Sequence, residues 1–190
     1  MKFSAKWILS WLLLCALLQG CAAVVVGAGM GAASAVHDRR TLGTQLDDKT
    51  AVARLSSAFG NNPRLASTNI DISVYNGIAL IAGQAPSEEL RQEIANTAAT
   101  VKNLKKIHNQ VRIGQPISAS VTANDMVIET KVKAALLGDK RIDGLQIEVE
   151  VEDSEVFLMG LVSDAEADIA VDISRNINGV ARVIKAFERR

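Results

Sequence analysis

The segment NGIALIAG (residues 76–83) has a counterpart 77 residues further along the chain, DSEVFLMG (residues 153–160), which aligns Gly83 with Gly160. At the same offset, residues 69–75 align with 146–152 and residues 47–59 with 124–136. After the glycines one residue is dropped, and residues 101–111 align with 177–187. Each copy spans roughly 65 residues, and two copies are too few for a solenoid. We therefore predict a tandem duplication of a small domain.

Each copy has the sequence signals of a helix, two strands, a second helix and a third strand. In the first copy, Thr44-x-x-Asp47 predicts the start of the first helix and Gly60 its end. An Asn76-Gly77 turn between two apolar segments predicts a β-hairpin. In the second copy, Ser163-x-x-Glu166 predicts a capping box at the start of the later helix. The sequence thus predicts an α+β protein built from two αββαβ units.

An αββαβ unit of this size, with a glycine after its second strand and a V-x-G/N-V/L-x-x-V turn into its last strand, resembles a BON domain. GQP (residues 114–116) and EVFLMGLV (residues 155–162) are the segments most typical of that family. The resemblance implies two tandem BON domains, each a three-stranded sheet packed against two helices. The boundaries that we expect are residues 44–113 for BON domain 1, 114–123 for a Gly- and Pro-containing linker, and 124–190 for BON domain 2.

The first 20 residues have the features of a bacterial export signal. Two lysines precede an apolar run at residues 7–18, which is shorter than the roughly 20 residues needed to cross a bilayer. The run ends in Leu18-Gln19-Gly20-Cys21, which resembles the lipobox of bacterial lipoproteins. The resemblance implies cleavage before Cys21, a diacylglycerol attached to its sulfur, and a third acyl chain attached to its amine. We therefore predict a signal peptide at residues 1–20 and a flexible, lipid-anchored leash at residues 21–43.

The predicted processing also bears on thiol chemistry and on location. Cys15 leaves with the signal and Cys21 carries lipid, so no disulfide or cysteine metal site can form within one molecule. Three acyl chains hold the protein firmly in a membrane. Lipoproteins kept at the inner membrane typically have Asp after the cysteine, so Ala22 implies the outer membrane. The family resemblance implies that the protein faces the periplasm.

The charge of the mature chain is close to neutral. Removing Lys2 and Lys6 with the signal leaves 19 Lys and Arg against 21 Asp and Glu. This balance provides no global attraction to nucleic acid or to an anionic membrane, so nucleic acid is not an expected partner. Any anionic ligand must be bound by a local patch.

The first helix of the second copy differs from its counterpart on the side that faces away from the core. At 100° per residue, Ile128, Val132, Ala135 and Leu136 form its core side. The opposite side, which we call the outer face, is apolar with a basic edge. Its residues are Met126, Val127, Thr130, Ala134 and Leu137, edged by Lys131, Lys133, Lys140 and Arg141. The matched residues of the first copy are small or polar: Lys49, Thr50, Ala53, Ser57 and Gly60.

An apolar face edged by lysines is typical of a helix that lies in a lipid headgroup layer. The dual BON-domain outer-membrane lipoproteins, which this chain resembles, bind anionic phospholipids (phosphatidylglycerol and cardiolipin) through this helix. The resemblance also implies a role in outer-membrane integrity and concentration at the division site. One departure is Val127, which stands where the family has a tryptophan, so an interfacial aromatic is missing.

Periodicity alone leaves other partners open. The outer face could equally pack on BON domain 1, on a second copy of the chain, or on an envelope-assembly protein. Some members of the family carry a haemolysin label, which gives a membrane-active, haemolysin-like protein as a further alternative.

The sequence does not predict an enzyme. The two histidines are His37, in the leash, and His108, on the last strand of the first copy, and neither has a nucleophile or ligand partner in sequence. Acid pairs such as Glu88-Glu89 lie at helix starts, where carboxylates stabilise the helix dipole. The Gly-rich run at residues 27–31 is not followed by the strand and helix of a phosphate-binding loop. We expect no catalytic residue, no cofactor and no metal.

Overall fold

Both predicted units fold as helix, strand, strand, helix and strand in the computed structural model, which describes residues 38–190. The first unit consists of α1 (Leu42–Gly60), β1 (Asn69–Tyr75), β2 (Ile78–Ala85), α2 (Glu88–Ala99) and β3 (Lys106–Ile113). The second unit consists of α3 (Ala119–Gly138), β4 (Ile147–Glu152), β5 (Glu155–Val162), α4 (Asp164–Arg175) and β6 (Arg182–Arg189). Short 3-10 turns at Pro63–Leu65 and Gly144–Gln146 precede β1 and β4. The predicted signal peptide, Cys21 and His37 lie outside the described residues.

Two helices begin earlier than predicted. The Thr44 cap is wrong: α1 begins at Leu42, because the Thr41 hydroxyl accepts the hydrogen bond from the Thr44 N–H at 3.1 Å. Helix α3 begins at Ala119, five residues inside the predicted linker. Alanine favours helix there, and Pro116 limits the helix on its N-terminal side. The segment between the two units that is neither helix nor strand is correspondingly shorter.

The two units share one sheet topology. In each, the first two strands are antiparallel and the second and third are parallel, which gives the orders β1-β2-β3 and β4-β5-β6. The two helices of a unit cover one face of its sheet. Leu55 of α1 and Ile94 of α2 are fully buried on the first sheet, as are Val132 of α3 and Ala170 of α4 on the second. The predicted α+β fold of two αββαβ units is confirmed.

A buried aspartate on the first helix of each unit fastens the hairpin turn. The Asp48 carboxylate accepts hydrogen bonds from the backbone N–H groups of Asn76 and Gly77, both at 2.7 Å. At the same offset of 77, Asp125 accepts hydrogen bonds from the N–H groups of Asp153 and Ser154, both at 2.8 Å. The carboxylates satisfy backbone N–H groups that have no partner within the turn. These charge-assisted hydrogen bonds fix the helix to the hairpin.

Gly83 and Gly160 occupy equivalent positions, as the alignment predicts. A Cβ atom at Gly83 would lie 2.1 Å from the Asn69 carbonyl oxygen, and one at Gly160 would lie 2.5 Å from that of Gln146. Gly83 also has a φ of +123°, which side-chain-bearing residues rarely adopt. Each glycine allows the neighbouring strand to approach closely where that strand begins.

The remaining faces of the two sheets pack against each other. Leu80 on β2, and Phe157 and Met159 on β5, are at most 1% exposed in this contact. Every residue of β2 is buried, so the strand is covered on both sides. Residues 39–190 form one compact unit that contains all three hydrophobic clusters. We therefore treat these residues as a part of the chain that folds on its own.

Replacing Gly83 tests the close approach of β1 and β2. Gly83→Ala should lower the free energy of unfolding by about 2 kcal/mol or more, because its Cβ meets backbone and its φ is unfavourable. The matched control is Gly114→Ala, whose Cβ would enter open space and should cost less than about 0.5 kcal/mol. Urea denaturation of residues 39–190, followed by circular dichroism, measures both. Equal stability of the two variants would contradict this account.

Candidate phospholipid-binding site

The outer face of α3 is open to solvent over its whole length. Met126 is 65% exposed, Val127 49% and Leu137 57%. The Thr130 hydroxyl donates to the Met126 carbonyl oxygen at 2.8 Å, so this polar group is satisfied within the helix. Of the nine predicted phospholipid-binding residues, eight are exposed and Lys133 is half-buried. The helix thus presents an exposed apolar surface.

The burial of α3 explains why this face is free. Asp125, Ile128, Val132 and Leu136 are buried, and their spacing of three and four residues places them on one side of the helix. That side packs on the second sheet, in a hydrophobic cluster that includes Val149 and Val151 of β4. The residues about half a turn away from the buried ones must then point outward.

The outer face is longer than predicted. Because α3 begins at Ala119, the exposed residues Ala119 and Ala123 extend it by one further turn. From Ala119 to Leu137 the face is about 27 Å long. Sequence analysis missed these two residues because it placed them in the linker; the alanine spacing of four was the available signal.

The four basic residues at the edge differ in their partners. Lys133 donates to Glu129 at 2.6 Å and lies 4.0 Å from Glu148. Burial opposes ionisation of Lys133, but the hydrogen bond to Glu129 and the nearby carboxylates leave its pKa raised. Arg141 binds Asp139 at 2.7 Å, and its hydrogen bonds lower the pKa of that carboxyl to about 2.

Lys131 and Lys140 are exposed and form no ion pair with residues 38–190. They are the edge cations whose charge is not already compensated nearby. A lysine ammonium can donate three hydrogen bonds, so Lys133 also keeps donors for a second anion. The basic edge is therefore weaker than its four positive charges suggest, and Lys131 and Lys140 carry most of it.

The counterpart face on α1 is only partly as predicted. Ala53, Ser57 and Gly60 are exposed and give a small, polar surface at the positions matched to α3. Nearer the start of the helix, however, Leu42 is 69% and Leu46 66% exposed. These leucines escaped comparison because α1 begins before the aligned segment. The two helices therefore differ mainly in their second halves.

A group of carboxylates lies near Lys133, at the contact between the two sheets. Burial, and then the negative charges of Glu148 and Glu129, raise the pKa of Glu150 to about 7. A small cavity of about 30 Å³ lies there, lined in part by Asp71, Ser73 and Glu150. Glu152, close by, accepts a hydrogen bond from Gln84 Nε2 at 2.6 Å.

The described residues show no arrangement typical of a metal site or a membrane span. Within residues 38–190, no group of three His, Cys, Asp or Glu side chains could hold a metal ion. None of the helices in this range is both long and apolar enough to cross a membrane.

Burial, and then the positive charge of Lys106, lower the pKa of His108, which is partly exposed on β3.

The fold and its duplication define a class of protein. The BON domain family model matches residues 47–115 and 124–190, so the chain belongs to the BON-domain family. It is 34% identical to "Outer membrane lipoprotein DolP" of Haemophilus influenzae over 172 residues, which cover 90% of this chain and 89% of that protein. It is therefore a homologue of DolP.

Two further likenesses are more distant or shorter. The chain is 34% identical to the "21 kDa hemolysin" of Actinobacillus pleuropneumoniae over 151 residues, covering 79% of this chain and 78% of that one. The match to a solved structure of CdsD, a structural protein of the type III secretion system of Chlamydia trachomatis, covers 73% of this chain and 91% of the solved chain. With 12% identity and a TM-score of 0.27, this structural similarity is too weak to indicate a shared fold or role.

The raised pKa of Glu150 predicts a pH-dependent stability. The folded carboxyl keeps its proton up to about pH 7, whereas the unfolded one releases it near 4.5, so the folded state binds more protons between these values. Stability should therefore fall as pH rises from about 4.5 to 7. Glu150→Gln should remove this loss and raise the free energy of unfolding at pH 8 by on the order of 2 kcal/mol more than at pH 4.5.

Urea denaturation of residues 39–190 at the two pH values measures the difference. Asp47→Asn, at an exposed position on α1, is the control and should change both values by less than about 0.5 kcal/mol. A Glu150→Gln variant that follows the pH profile of the unchanged protein would show that this carboxyl titrates normally.

Proposed function

We propose that the protein is a non-enzymatic outer-membrane lipoprotein that binds anionic phospholipid through the outer face of α3. The observation that carries the proposal is the exposed apolar surface of Met126, Val127 and Leu137 beside Lys131 and Lys140, which form no ion pair within residues 38–190. Similarity to the outer-membrane lipoprotein DolP supports the outer-membrane location. The proposed role is to support outer-membrane integrity, including at the division site, facing the periplasm.

Two contributions to binding follow from the geometry of α3. Apolar side chains on the outer face can enter the boundary between headgroups and acyl chains, where each square ångström buried contributes about 25 cal/mol. Each lysine near an anionic surface adds about 1 kcal/mol. Phosphatidylglycerol and cardiolipin fit this surface because both present phosphates to the ammonium groups.

The proposed anchor makes modest affinity sufficient. If Cys21 is acylated, the leash holds residues 39–190 next to the membrane, and binding of α3 becomes an intramolecular event. A contact that is weak for free protein is then populated most of the time. The lipid-facing helix would orient the domains on the membrane, and the acyl chains would retain them there.

Removing the acylation site tests the anchor. Cys21→Ala should abolish incorporation of labelled fatty acid and move the protein from the membrane fraction to the soluble fraction, or leave its signal uncleaved. Metabolic labelling with a radioactive fatty acid and membrane fractionation provide the measurements. Label retained by the variant would show that acylation takes place elsewhere.

A charge on the outer face tests the lipid contact. Residues 39–190, which lack the anchor, should bind phosphatidylglycerol or cardiolipin vesicles more tightly than phosphatidylcholine vesicles. Leu137→Glu should weaken this binding about ten-fold, because it replaces an inserted side chain by a carboxylate among phosphates. The matched control, Gly60→Glu on α1, should leave binding unchanged, since its position is open and outside the proposed site.

Vesicle sedimentation measures the affinities, and NMR titration with short-chain lipid locates the contact. Shifts centred on residues 126–141 are expected. Shifts centred on the first unit, or equal affinity for both vesicle types, would reject the site. Crosslinks from position 137 that recover predominantly protein would favour an envelope-assembly partner instead.

A further inference from the structure

A groove adjoins the C-terminal end of the outer face. It lies between α3 and the 3-10 turn Gly144–Gln146 and has a volume of about 180 Å³. Its lining residues are Lys133, Leu137, Gly144, Leu145, Ile147 and Glu148. Leu137 belongs to the proposed lipid-binding face, whereas Leu145 comes from a different element and is 58% exposed. Leu137 of α3 and Leu145 of the 3-10 turn thus line the same groove.

The turn that carries Leu145 is held rigidly. The Asp143 carboxylate accepts hydrogen bonds from the Leu145 N–H at 3.3 Å and from Gln146 Nε2 at 3.0 Å. A Cβ atom at Gly144 would lie 2.5 Å from the Leu136 backbone, so the turn packs directly on α3. The exposure of Leu145 is therefore a fixed feature of the surface.

The first unit supplies an internal comparison. It has a groove at the equivalent place, of about 250 Å³, lined in part by Gly60, Thr68 and Ile70. At the offset of 77, these correspond to Leu137, Leu145 and Ile147. The Thr68 hydroxyl donates to the Leu65 carbonyl oxygen at 2.7 Å. The groove is common to both copies of the fold, but only the second has two exposed leucines at its rim.

We propose that the groove between α3 and the 3-10 turn receives one acyl chain of the anionic phospholipid whose headgroup meets the basic edge of α3. This inference rests on the proposed function and adds a second element, with Leu145, to the site. The chain would pass between Leu137 and Leu145 towards Ile147, which is 7% exposed.

Charge complementarity favours a lipid over other occupants. Lys133 lines the groove and keeps donors for a phosphate at its mouth, and Lys140 lies in the segment that joins α3 to the turn. The carboxylate of Glu148 in the same wall lies 4.0 Å from the Lys133 ammonium. An acyl chain needs no hydrogen-bond partner from this wall, whereas a peptide backbone would leave its own polar groups unsatisfied there.

The chain offers a clean probe of this contact. Its two tryptophans, Trp7 and Trp11, precede residue 39, so residues 39–190 contain none. We would prepare Leu145→Trp, Leu137→Trp and Thr68→Trp, each with a single tryptophan. Vesicles of phosphatidylglycerol with brominated acyl chains quench a tryptophan only when it contacts the chains. Leu145→Trp and Leu137→Trp should be quenched, and Thr68→Trp, at the matched place in the first unit, should not.

A second variant measures affinity. Leu145→Asn should weaken binding to unbrominated phosphatidylglycerol vesicles on the order of five-fold, because it removes an inserted apolar side chain. Thr68→Asn should have no effect. Circular dichroism melting curves verify that each variant folds. We expect the Leu145 variants to fold because this side chain is exposed.

The outcomes separate the groove from the proposed function. Quenching of Leu137→Trp without quenching of Leu145→Trp, together with unchanged affinity of Leu145→Asn, would overturn the groove and leave the α3 site intact. Absence of vesicle binding by residues 39–190 would overturn both. A dimer in sedimentation that Leu145→Asn dissociates would assign the groove to a second copy of the chain and overturn the lipid proposal.

Discussion

The structure depends on how the second face of each three-stranded sheet is covered. Two helices cover one face of each sheet, and the opposite faces are also apolar, with Leu80, Phe157 and Met159 almost completely buried. Neither unit could expose such a face to water without losing a large part of its stability. The units therefore pack sheet against sheet. This contact places the sheets inside and the four helices of residues 38–190 outside, which decides what this part of the chain can present to a partner.

The helices are thereby constrained on one side and free on the other. On their inner sides α1 and α3 follow the same rules, since Asp48 and Asp125 each fasten a hairpin turn and Leu55 and Val132 fill corresponding core positions. On their outer sides folding imposes no such agreement. The difference between Gly60 and Leu137 therefore has no origin in the core. The surface role that we propose for α3 would account for it, and the same reasoning extends to Thr68 and Leu145.

Polar contacts of Arg39 and Arg40 fix the start of the described chain to both units. The Arg40 guanidinium binds Asp48 of the first unit at 2.9 Å and stacks 3.7 Å from the centre of the Tyr75 ring. The adjacent Arg39 binds Glu166 of the second unit at 2.6 Å, and this hydrogen bond lowers the pKa of Glu166 to about 2. Two consecutive arginines, which lie within the last residues of the predicted leash, thus join the two units. A membrane anchor acting through this point would act on both units together.

The sequence by itself determined the duplication, the order of the elements, the hairpin turn at Asn76-Gly77, the capping box at Ser163 and the two faces of α3. These follow from local chemistry and from periodicity, which are present in the sequence. Only the tertiary structure decided that Glu148 of β4 lies beside Lys133 of α3, and that Leu145 and Leu137 line one groove. Strands β2 and β5 are buried on both faces of their sheets, but their sequences do not specify what covers the second face. Contacts between residues far apart in the chain depend on packing, and no local pattern encodes them.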